Sequence, residues 1–307
     1  MSTADKKKKR KTAKQRRLFL RKIFLTVFAL VSAFIFIMPT VLTAVNSFMT
    51  STEINADYGA VFSSITAGSQ TYISKTINLK FIPDKVSFGQ YKTVLFMSPD
   101  YLLKFWNSVI LTVPVVIFQT IVALLASYGF ARTVGKLKDV IFLFYIFLML
   151  MPYQVTMVPN YLVADKLGLL NTNWAIILPG IFSPFAVFLL TKVMKRVPAS
   201  FYEAAMLDGA NELSIFLHVY LPVCRSAIYS VMMLIFIDYW NMVEQPLILL
   251  SDTALHPLSV FLSKINSQET GIAFAVAVIY MVPPMLMFLY GEDYLVEGIS
   301  YSGGIKG

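Results

Sequence analysis

Residues 197–222 read VPASFYEAAMLDGANELSIFLHVYLP, and this stretch predicts two short helices joined at a glycine. Ser200 followed three residues later by Glu203 is a capping box, which favours a helix that begins there. Gly209 can adopt the left-handed conformation that ends such a helix. Asn211 is a good N-cap for a second helix. The pattern therefore predicts a helix–Gly–helix elbow.

The second helix of the elbow should carry one apolar face. Phe216, Val219 and Tyr220 follow the i, i+3, i+4 spacing of residues on one side of a helix. Pro222 lacks the N–H that a helix interior needs, so we expect it to stop this helix and to begin the next segment. An ordinary capped loop between two membrane spans would share these local features.

The elbow lies between two of six apolar windows. A bilayer core about 30 Å thick requires roughly 20 apolar helical residues, so a long window without charge predicts a span. Prolines inside the windows are compatible with spans, because neighbouring helices can satisfy the freed backbone groups. The sequence thus predicts an all-α integral membrane protein with six transmembrane helices. The windows are residues 23–45, those between 104 and 132, between 139 and 165 and between 166 and 192, about 227–250 and about 271–290.

Charge is scarce and unevenly distributed along the chain. Only 14% of the 307 residues are charged, whereas soluble proteins carry about 25%. Residues 1–22 hold eleven Lys and Arg and one acid, so the net charge of +9 comes from this tail. The remaining chain has 15 basic and 16 acidic residues, which excludes a globular nucleic-acid binder.

The basic residues also predict the orientation of the spans. With the N-terminus inside, the inner segments carry 19 Lys and Arg and the outer segments carry 7. Because positive charge stays on the inner side, both termini are expected in the cytoplasm. The predicted organisation is a basic tail at 1–22 and a six-span domain at 23–307, with an outer loop at 46–104 and an inner elbow loop at 192–226.

The residues that usually bind metals or nucleotides are few. Cys224 is the only cysteine, which excludes an intrachain disulfide and a multi-cysteine zinc site. His218 and His256 have no ligand spacing. No G-x-x-x-x-G-K-[ST] segment occurs, so the chain should not bind ATP phosphates by itself. We therefore expect no metal site and no cofactor bound by this chain.

The elbow resembles a family motif. Glu203-Ala204-Ala205, three residues, Gly209, nine residues and Val219-Tyr220-Leu221-Pro222 resemble the EAA motif of ABC-importer permeases, EAA-x3-G-x9-I-x-L-P, with Val219 in place of Ile. The likeness covers most of residues 18–307 and is weakest where extra residues stand around 55–78. Segments that look like the maltose-type sugar permeases are Asn107-Ser108, Met151-Pro152, Gly168-Leu-Leu-Asn171, Leu178-Pro179-Gly180, Trp240-Asn241, Pro246-Leu247-Ile248 and Gly304-Ile-Lys-Gly307.

The resemblance implies a type I ABC-importer permease fold and a division of labour between subunits. The elbow would be a coupling helix that docks on an ATPase, and ATP and Mg would be bound by that partner, so this chain would not itself be an enzyme. The implied partners are a second homologous permease, two copies of the ATPase, an extracytoplasmic solute-binding protein and the lipid bilayer of the bacterial cytoplasmic (inner) membrane. The coupling residues carried over by position are Glu203, Ala204, Ala205, Asp208, Gly209, Val219, Leu221 and Pro222.

Polar residues inside two windows are candidates for a sugar path. Sugar hydroxyls both donate and accept hydrogen bonds, so amides, carboxylates and aromatic faces suit them. Charges within a span are costly and usually face a cavity or a partner, although bonds between helices would explain the same residues. The candidates are Asp238, Tyr239, Trp240, Asn241 and Glu244 in the fifth window and, more weakly, Tyr153, Gln154, Asn160 and Tyr161 in the third.

The sequence therefore favours a permease that imports a sugar or oligosaccharide by alternating access. Three alternatives stay open at this point. One is an ABC-importer permease for another solute, such as a polyol phosphate or a small organic acid. The second is an ion-coupled secondary transporter, which has no need for the elbow. The third is a membrane-anchored scaffold, which has no need for polar residues inside the spans.

Overall fold

The computed structural model describes residues 3–66, 80–264 and 270–303, with side chains at 18–58, 80–264 and 271–294. Every regular element in those residues is a helix, as the apolar windows predict. The helices are α1 (Thr3–Asn46), α2 (Ser51–Thr66), α3 (Gly89–Lys92), α4 (Pro99–Arg132), α5 (Lys136–Met149), α6 (Tyr153–Lys166), α7 (Trp174–Gly180), α8 (Pro184–Met194), α9 (Ala199–Leu207), α10 (Glu212–Ile215), α11 (Leu221–Val223), α12 (Arg225–Trp240), α13 (Glu244–Leu249), α14 (Leu258–Ser263) and α15 (Thr270–Gly303).

Four to six membrane crossings fit the described helices. Four stretches are long and apolar enough to cross a bilayer, namely Leu18–Asn46, Pro99–Arg132, Trp174–Met194 and Gly271–Tyr294. Two further crossings arise if each of two bent helix pairs forms one span: α5 with α6, bent by 99°, and Glu212–Val223 with α12, bent by 78°.

The third predicted span is not one continuous helix. α5 ends at Met149, and α6 begins at Tyr153 after an extended Pro152 with φ −61° and ψ 142°. Proline has no N–H to donate, and it disfavours helical geometry at the residue before it. The predicted window between residues 139 and 165 therefore contains two helices, which form one span only if the bent pair crosses the membrane together.

The fifth predicted span is also shorter than expected. α12 has 16 residues and ends at Trp240, and α13 follows only at Glu244. A helix of that length measures about 24 Å at 1.5 Å per residue. The window predicted as a span at about 227–250 thus contains two helices with an irregular segment at residues 241–243 between them.

The larger of two compact units comprises residues 92–265 and 279–307, and α4 lies at its centre. α4 packs against α7, α8, α12 and α14, and it buries apolar and hydroxyl side chains on the shared face. Trp240 anchors this core, since it is only 1% exposed and stacks on Phe236 and Tyr280 with ring centroids 5.3 and 5.5 Å away. The core therefore fixes the end of α12.

The smaller unit comprises residues 1–91 and 266–278. In its described part, the end of α1 packs against α2 through Met49, Ile54 and Tyr58. Asn46 donates a hydrogen bond to the Tyr58 hydroxyl at 2.7 Å, and Gln90 donates to the Met49 carbonyl at 2.6 Å. The predicted outer loop therefore begins with ordered helical structure. Residues 67–79, which include about half of the insertion expected around 55–78, and residues 304–307 lie outside the described residues.

Candidate functional site

The elbow predicted at residues 197–222 is present as two helices joined at Gly209. Gly209 has a φ of 81°, and its N–H donates to the Met206 carbonyl at 3.0 Å. Asn211 N-caps α10 by accepting a hydrogen bond from the Ser214 N–H at 2.8 Å. The predicted left-handed glycine and the predicted N-cap are both confirmed.

The start of the elbow differs from the prediction. α9 begins at Ala199 after Pro198, and no side chain caps its first turn. The capping box predicted between Ser200 and Glu203 was therefore wrong. Pro198 occupies the N-cap position with an extended ψ of 136°, and its side chain has no oxygen that could accept from the free N–H groups of the first turn. Because Ser200 already lies inside the first turn, its hydroxyl is not at the cap position.

The second helix of the elbow continues past the expected stop at Pro222. A π-helical turn at Phe216–Tyr220 follows α10, and α11 then extends the helix to Val223. In this wider turn the Leu221 N–H donates to the Phe216 carbonyl. The wider turn moves the carbonyls away from the positions that a proline ring would strike in an ordinary α-helix. The helix ends at Val223 instead, and Cys224 separates it from α12.

One side of α9 faces outward and carries both small and large apolar residues. Leu207 is 89% exposed, and Phe201 and Met206 are also exposed, whereas Tyr202 and Ala205 pack against the core. We call Phe201, Glu203, Ala204, Met206 and Leu207 the elbow tip. Of the predicted coupling residues, the exposed ones are Glu203, Ala204, Asp208, Gly209 and Pro222, and the partly buried ones are Ala205, Val219 and Leu221.

Four side chains attach the elbow to the end of α4. Glu212 accepts hydrogen bonds from the Tyr128 hydroxyl at 2.5 Å and from the Tyr202 hydroxyl at 2.7 Å. The guanidinium carbon of Arg132 lies 3.3 Å from the centre of the Tyr202 ring, which is cation–π geometry. We call Tyr128, Arg132, Tyr202 and Glu212 the attachment cluster. It joins α4, α9 and α10 at one point.

Aromatic packing supports the attachment cluster from the core side. The Tyr128 ring lies 5.1 Å from the Phe216 ring and 5.0 Å from the Tyr220 ring, centre to centre. Phe216 and Tyr220 are buried, which agrees with the single apolar face predicted for the second elbow helix. Such aromatic pairs add about 0.5–1.5 kcal/mol beyond the burial of their area.

The charge of Glu212 is favoured by its two tyrosine partners. Hydrogen bonds from Tyr128 and then from Tyr202 hold the pKa of this carboxyl below its ordinary value of 4.5. A carboxyl whose pKa is lowered in the folded state contributes stability above its unfolded pKa and loses it as the pH falls through the lowered pKa. We therefore expect the cluster to persist across neutral and mildly acidic pH.

A cavity of about 560 Å³ lies among α4, α5, α6, α7, α8, α12 and α13. A second cavity of about 550 Å³ shares Tyr153, Asp238 and Gln245 with the first. Of the predicted path residues, Tyr153, Asn160, Asp238 and Tyr239 line the first cavity, and Tyr153, Gln154, Asp238, Asn241 and Glu244 line the second.

Trp240 lines neither cavity. Its indole N–H donates to the Tyr280 carbonyl at 3.2 Å, and the Tyr280 hydroxyl donates back to the Trp240 carbonyl at 2.8 Å. Asn241 is also engaged, because its side-chain oxygen accepts from the same Tyr280 hydroxyl at 2.8 Å. Tyr161, like Trp240, lines neither cavity. Asp238 is exposed and lines both cavities.

Sequence reasoning missed two glutamines in the first cavity. Gln119 on α4 is only 3% exposed, and Gln245 is on α13. The side-chain oxygen of each is buried without a hydrogen-bond partner. A single amide within a long apolar window was the available signal, and Gln119 stands in such a window.

The cysteine and the two histidines have separate local roles. Cys224 is buried. His218 contacts the Ser214 carbonyl at 3.0 Å, and His256 contacts the Leu250 carbonyl at 2.8 Å. Across the part of the chain that the structure describes, no three His, Cys, Asp or Glu side chains are grouped to bind a metal ion.

Comparison with known proteins identifies related sequences. Residues 119–295 match the family model described as binding-protein-dependent transport system inner membrane component. The lactose transport system permease protein LacG of Rhizobium radiobacter is 30% identical over 227 residues, which cover 72% of this chain and 83% of LacG. The polygalacturonan/rhamnogalacturonan transport system permease protein YtcP of Bacillus subtilis (strain 168) is 28% identical over 272 residues, which cover 80% of this chain and 92% of YtcP.

A solved structure has the same fold. A chain from a bacterial ABC transporter involved in the import of the acidic polysaccharide alginate superposes with a TM-score of 0.73. The match covers 91% of this chain and 97% of that one, at 21% sequence identity. At this identity the likeness supports the fold, and the nature of the solute has to be argued from this chain's own residues.

Proposed function

Because this chain belongs to the family of binding-protein-dependent transport system inner membrane components, we propose that it is the permease subunit of an ATP-driven importer for a sugar or oligosaccharide. A binding protein outside the membrane delivers the solute. Partner ATPase subunits supply the energy, since the sequence contains no phosphate-binding loop. The subunit itself performs transport and no covalent chemistry.

The observation that carries this proposal is the elbow tip. Leu207 is 89% exposed at the end of a helix whose other side is fixed to the core. Ala204 on the same helix is small and exposed, which allows another backbone to approach closely. A firmly attached helix that presents apolar and small residues is suited to insertion into a cleft of a partner. The ATPase subunit is the partner that we assign to this surface.

The attachment cluster suggests how force passes between the ATPase and the spans. Movement of a docked elbow would act on α4 through Glu212, Tyr128 and Arg132. α4 in turn packs along α7, α8 and α12, which line the cavity. Closure of two ATPases could in this way tilt two permeases between inward-open and outward-open states. The excess of basic residues in the expected inner segments supports a cytoplasmic elbow.

The cavity supplies the kind of groups that a sugar needs. Asp238 and Asn160 offer polar groups, and Tyr153 and Tyr239 offer aromatic rings with hydroxyls. Its volume of about 560 Å³ is in the range of small-molecule sites. We assign this cavity to the path of the solute through the subunit.

Reconstitution tests the proposed function. The purified chain alone in proteoliposomes should take up no sugar. The complex with a second permease, the ATPases and the binding protein should take up sugar only with ATP, and uptake of a radiolabelled sugar measures this. Uptake by the chain alone, driven by an ion gradient, would identify a secondary transporter and contradict the proposal.

Replacing Leu207 with aspartate should weaken ATPase binding. Burial of a leucine contributes about 1.5–3 kcal/mol, so its loss should reduce affinity about tenfold or more. Co-purification of the ATPase with tagged permease provides the measurement. Leu167→Asp is the matched control, because Leu167 is also exposed and also lies close before a left-handed glycine, Gly168. Equal loss of the ATPase in both variants would argue against docking at the elbow tip.

A further inference from the structure

The charges around the two cavities have a single sign. Among the residues that the structure describes, Asp238 is the one charged side chain in the wall of the first cavity, and Asp238 and Glu244 are the charged side chains in the wall of the second. No Lys, Arg or His among the described residues lines either cavity. Both carboxylates are exposed. The surface that a solute meets in this subunit is therefore negative.

Neither carboxylate is neutralised by a neighbouring base. The ion pairs found in the described part of the chain join Lys80 to Glu53 and Asp84, and Lys138 to Asp139. Asp238 and Glu244 take part in none of them. Their charges therefore remain available to attract or repel a solute.

Hydrogen bonding gives the cavity walls a second preference. The exposed carboxylates of Asp238 and Glu244, when ionised, can only accept hydrogen bonds. A sugar hydroxyl or ammonium group can donate, whereas an ionised carboxylate can only accept. The wall thus favours solutes that are rich in donors.

We propose that the solute of this permease is a neutral or amino-substituted saccharide and not a polymer of uronic acids. The inference rests on the proposed function and narrows its substrate class. Family membership leaves the question open, because LacG is named for a neutral sugar, whereas YtcP and the alginate transporter are named for acidic polymers. The wall of this chain's own cavities decides between them.

The sign of the cavity charge can be measured with thiol reagents on the assembled complex. Thr156 lines the first cavity, and Thr156→Cys in a Cys224→Ser background places one thiol there. A cationic trimethylammonium-ethyl methanethiosulfonate and an anionic sulfonatoethyl methanethiosulfonate serve as probes. We expect the cation-to-anion rate ratio to exceed that of a free thiol by about tenfold, because the carboxylate of Asp238 lines the same cavity and attracts the cationic reagent. Asp238→Asn should lower this excess several-fold.

Uptake provides the second arm of the test. The reconstituted complex should take up neutral oligosaccharides with ATP and should take up oligogalacturonates at least tenfold more slowly. The inference would be overturned if the cation-to-anion rate ratio at Thr156→Cys equalled that of a free thiol, or if both saccharides were taken up equally fast. Either result would leave the proposed function standing. Absence of ATP-dependent uptake of any saccharide would contradict the proposed function, and the inference would fall with it.

Discussion

Replacing Gly209 with proline should abolish the ATP hydrolysis that the binding protein stimulates, while the permease still inserts into the membrane. Gly209 has a φ of 81° and donates its N–H to the Met206 carbonyl. Proline holds φ near about −65° and has no N–H, so it cannot occupy this position without redirecting the chain. The tip would then no longer be aligned with the attachment cluster. Stimulated and basal ATPase rates of the purified complex provide the measurement.

Gly168 offers a matched control for this variant. Its φ is 66°, its N–H donates to the Asp165 carbonyl at 3.0 Å, and no atom would lie within 4 Å of an added Cβ, as at Gly209. Gly168→Pro therefore causes the same local damage in a turn outside the elbow. Stimulation should survive in Gly168→Pro. Normal stimulation in Gly209→Pro, or equal loss in both variants, would show that the glycine of the elbow is not needed for coupling.

Replacing Glu212 with alanine should reduce stimulated ATP hydrolysis about tenfold, with little change in how much ATPase co-purifies. The variant leaves the Tyr128 and Tyr202 hydroxyls without their shared acceptor. Hydrogen bonds to a charged group are worth about 1.5–3 kcal/mol when shielded from water, and less at an exposed site such as this. The elbow would still dock, but its movement would reach α4 less directly. Glu212 is thus proposed as a positioning residue.

Two further measurements separate this role from a general loss of stability. Glu212→Gln keeps an acceptor and should restore part of the stimulation, and the Tyr202→Phe/Glu212→Ala pair should show a coupling energy of about 0.5–1 kcal/mol in a double-mutant cycle. Asp139→Ala is the control, since Asp139 also lies in the first turn of a helix but pairs with Lys138. If the glutamine and alanine variants were equally impaired and the cycle showed no coupling, the positioning role would be wrong.

Composition and spacing predicted the class of fold and the elbow correctly, because both depend on local properties of the chain. A run of apolar residues indicates a helix in the membrane, and Gly209 and Asn211 indicate where helices end and begin. An apolar run does not show whether its helix is continuous. The charge-free window around Pro152 is equally consistent with one helix or with two helices whose axes differ by 99°. The first turn of α9 shows a similar limit, because Pro198, which offers no side-chain cap, stands at the N-cap position that Ser200 was expected to occupy.

The features of the site that could not be predicted from the sequence depend on contacts between residues far apart in the chain. Tyr128 and Glu212 are 84 positions apart, so their hydrogen bond has no local pattern. Trp240 and Asp238 are neighbours in a polar segment, yet only Asp238 reaches a cavity, whereas Trp240 is enclosed by Phe236 and Tyr280. The difference depends on which side of α12 meets α4 and α15, and that is decided by packing.

Under the proposed function, the early end of α12 would lower the electrostatic barrier that a solute meets in the membrane. At about 24 Å, this helix is shorter than a hydrocarbon core of about 30 Å. Irregular backbone at membrane depth is tolerated where it lines a water-filled space, and residues 241–243 border the second cavity. Water would thus extend into the plane of the bilayer beside Asp238. Under the proposed function, the low-permittivity layer that separates the two sides would then be thinner than the membrane itself, and a small tilt of the subunits would open or close it.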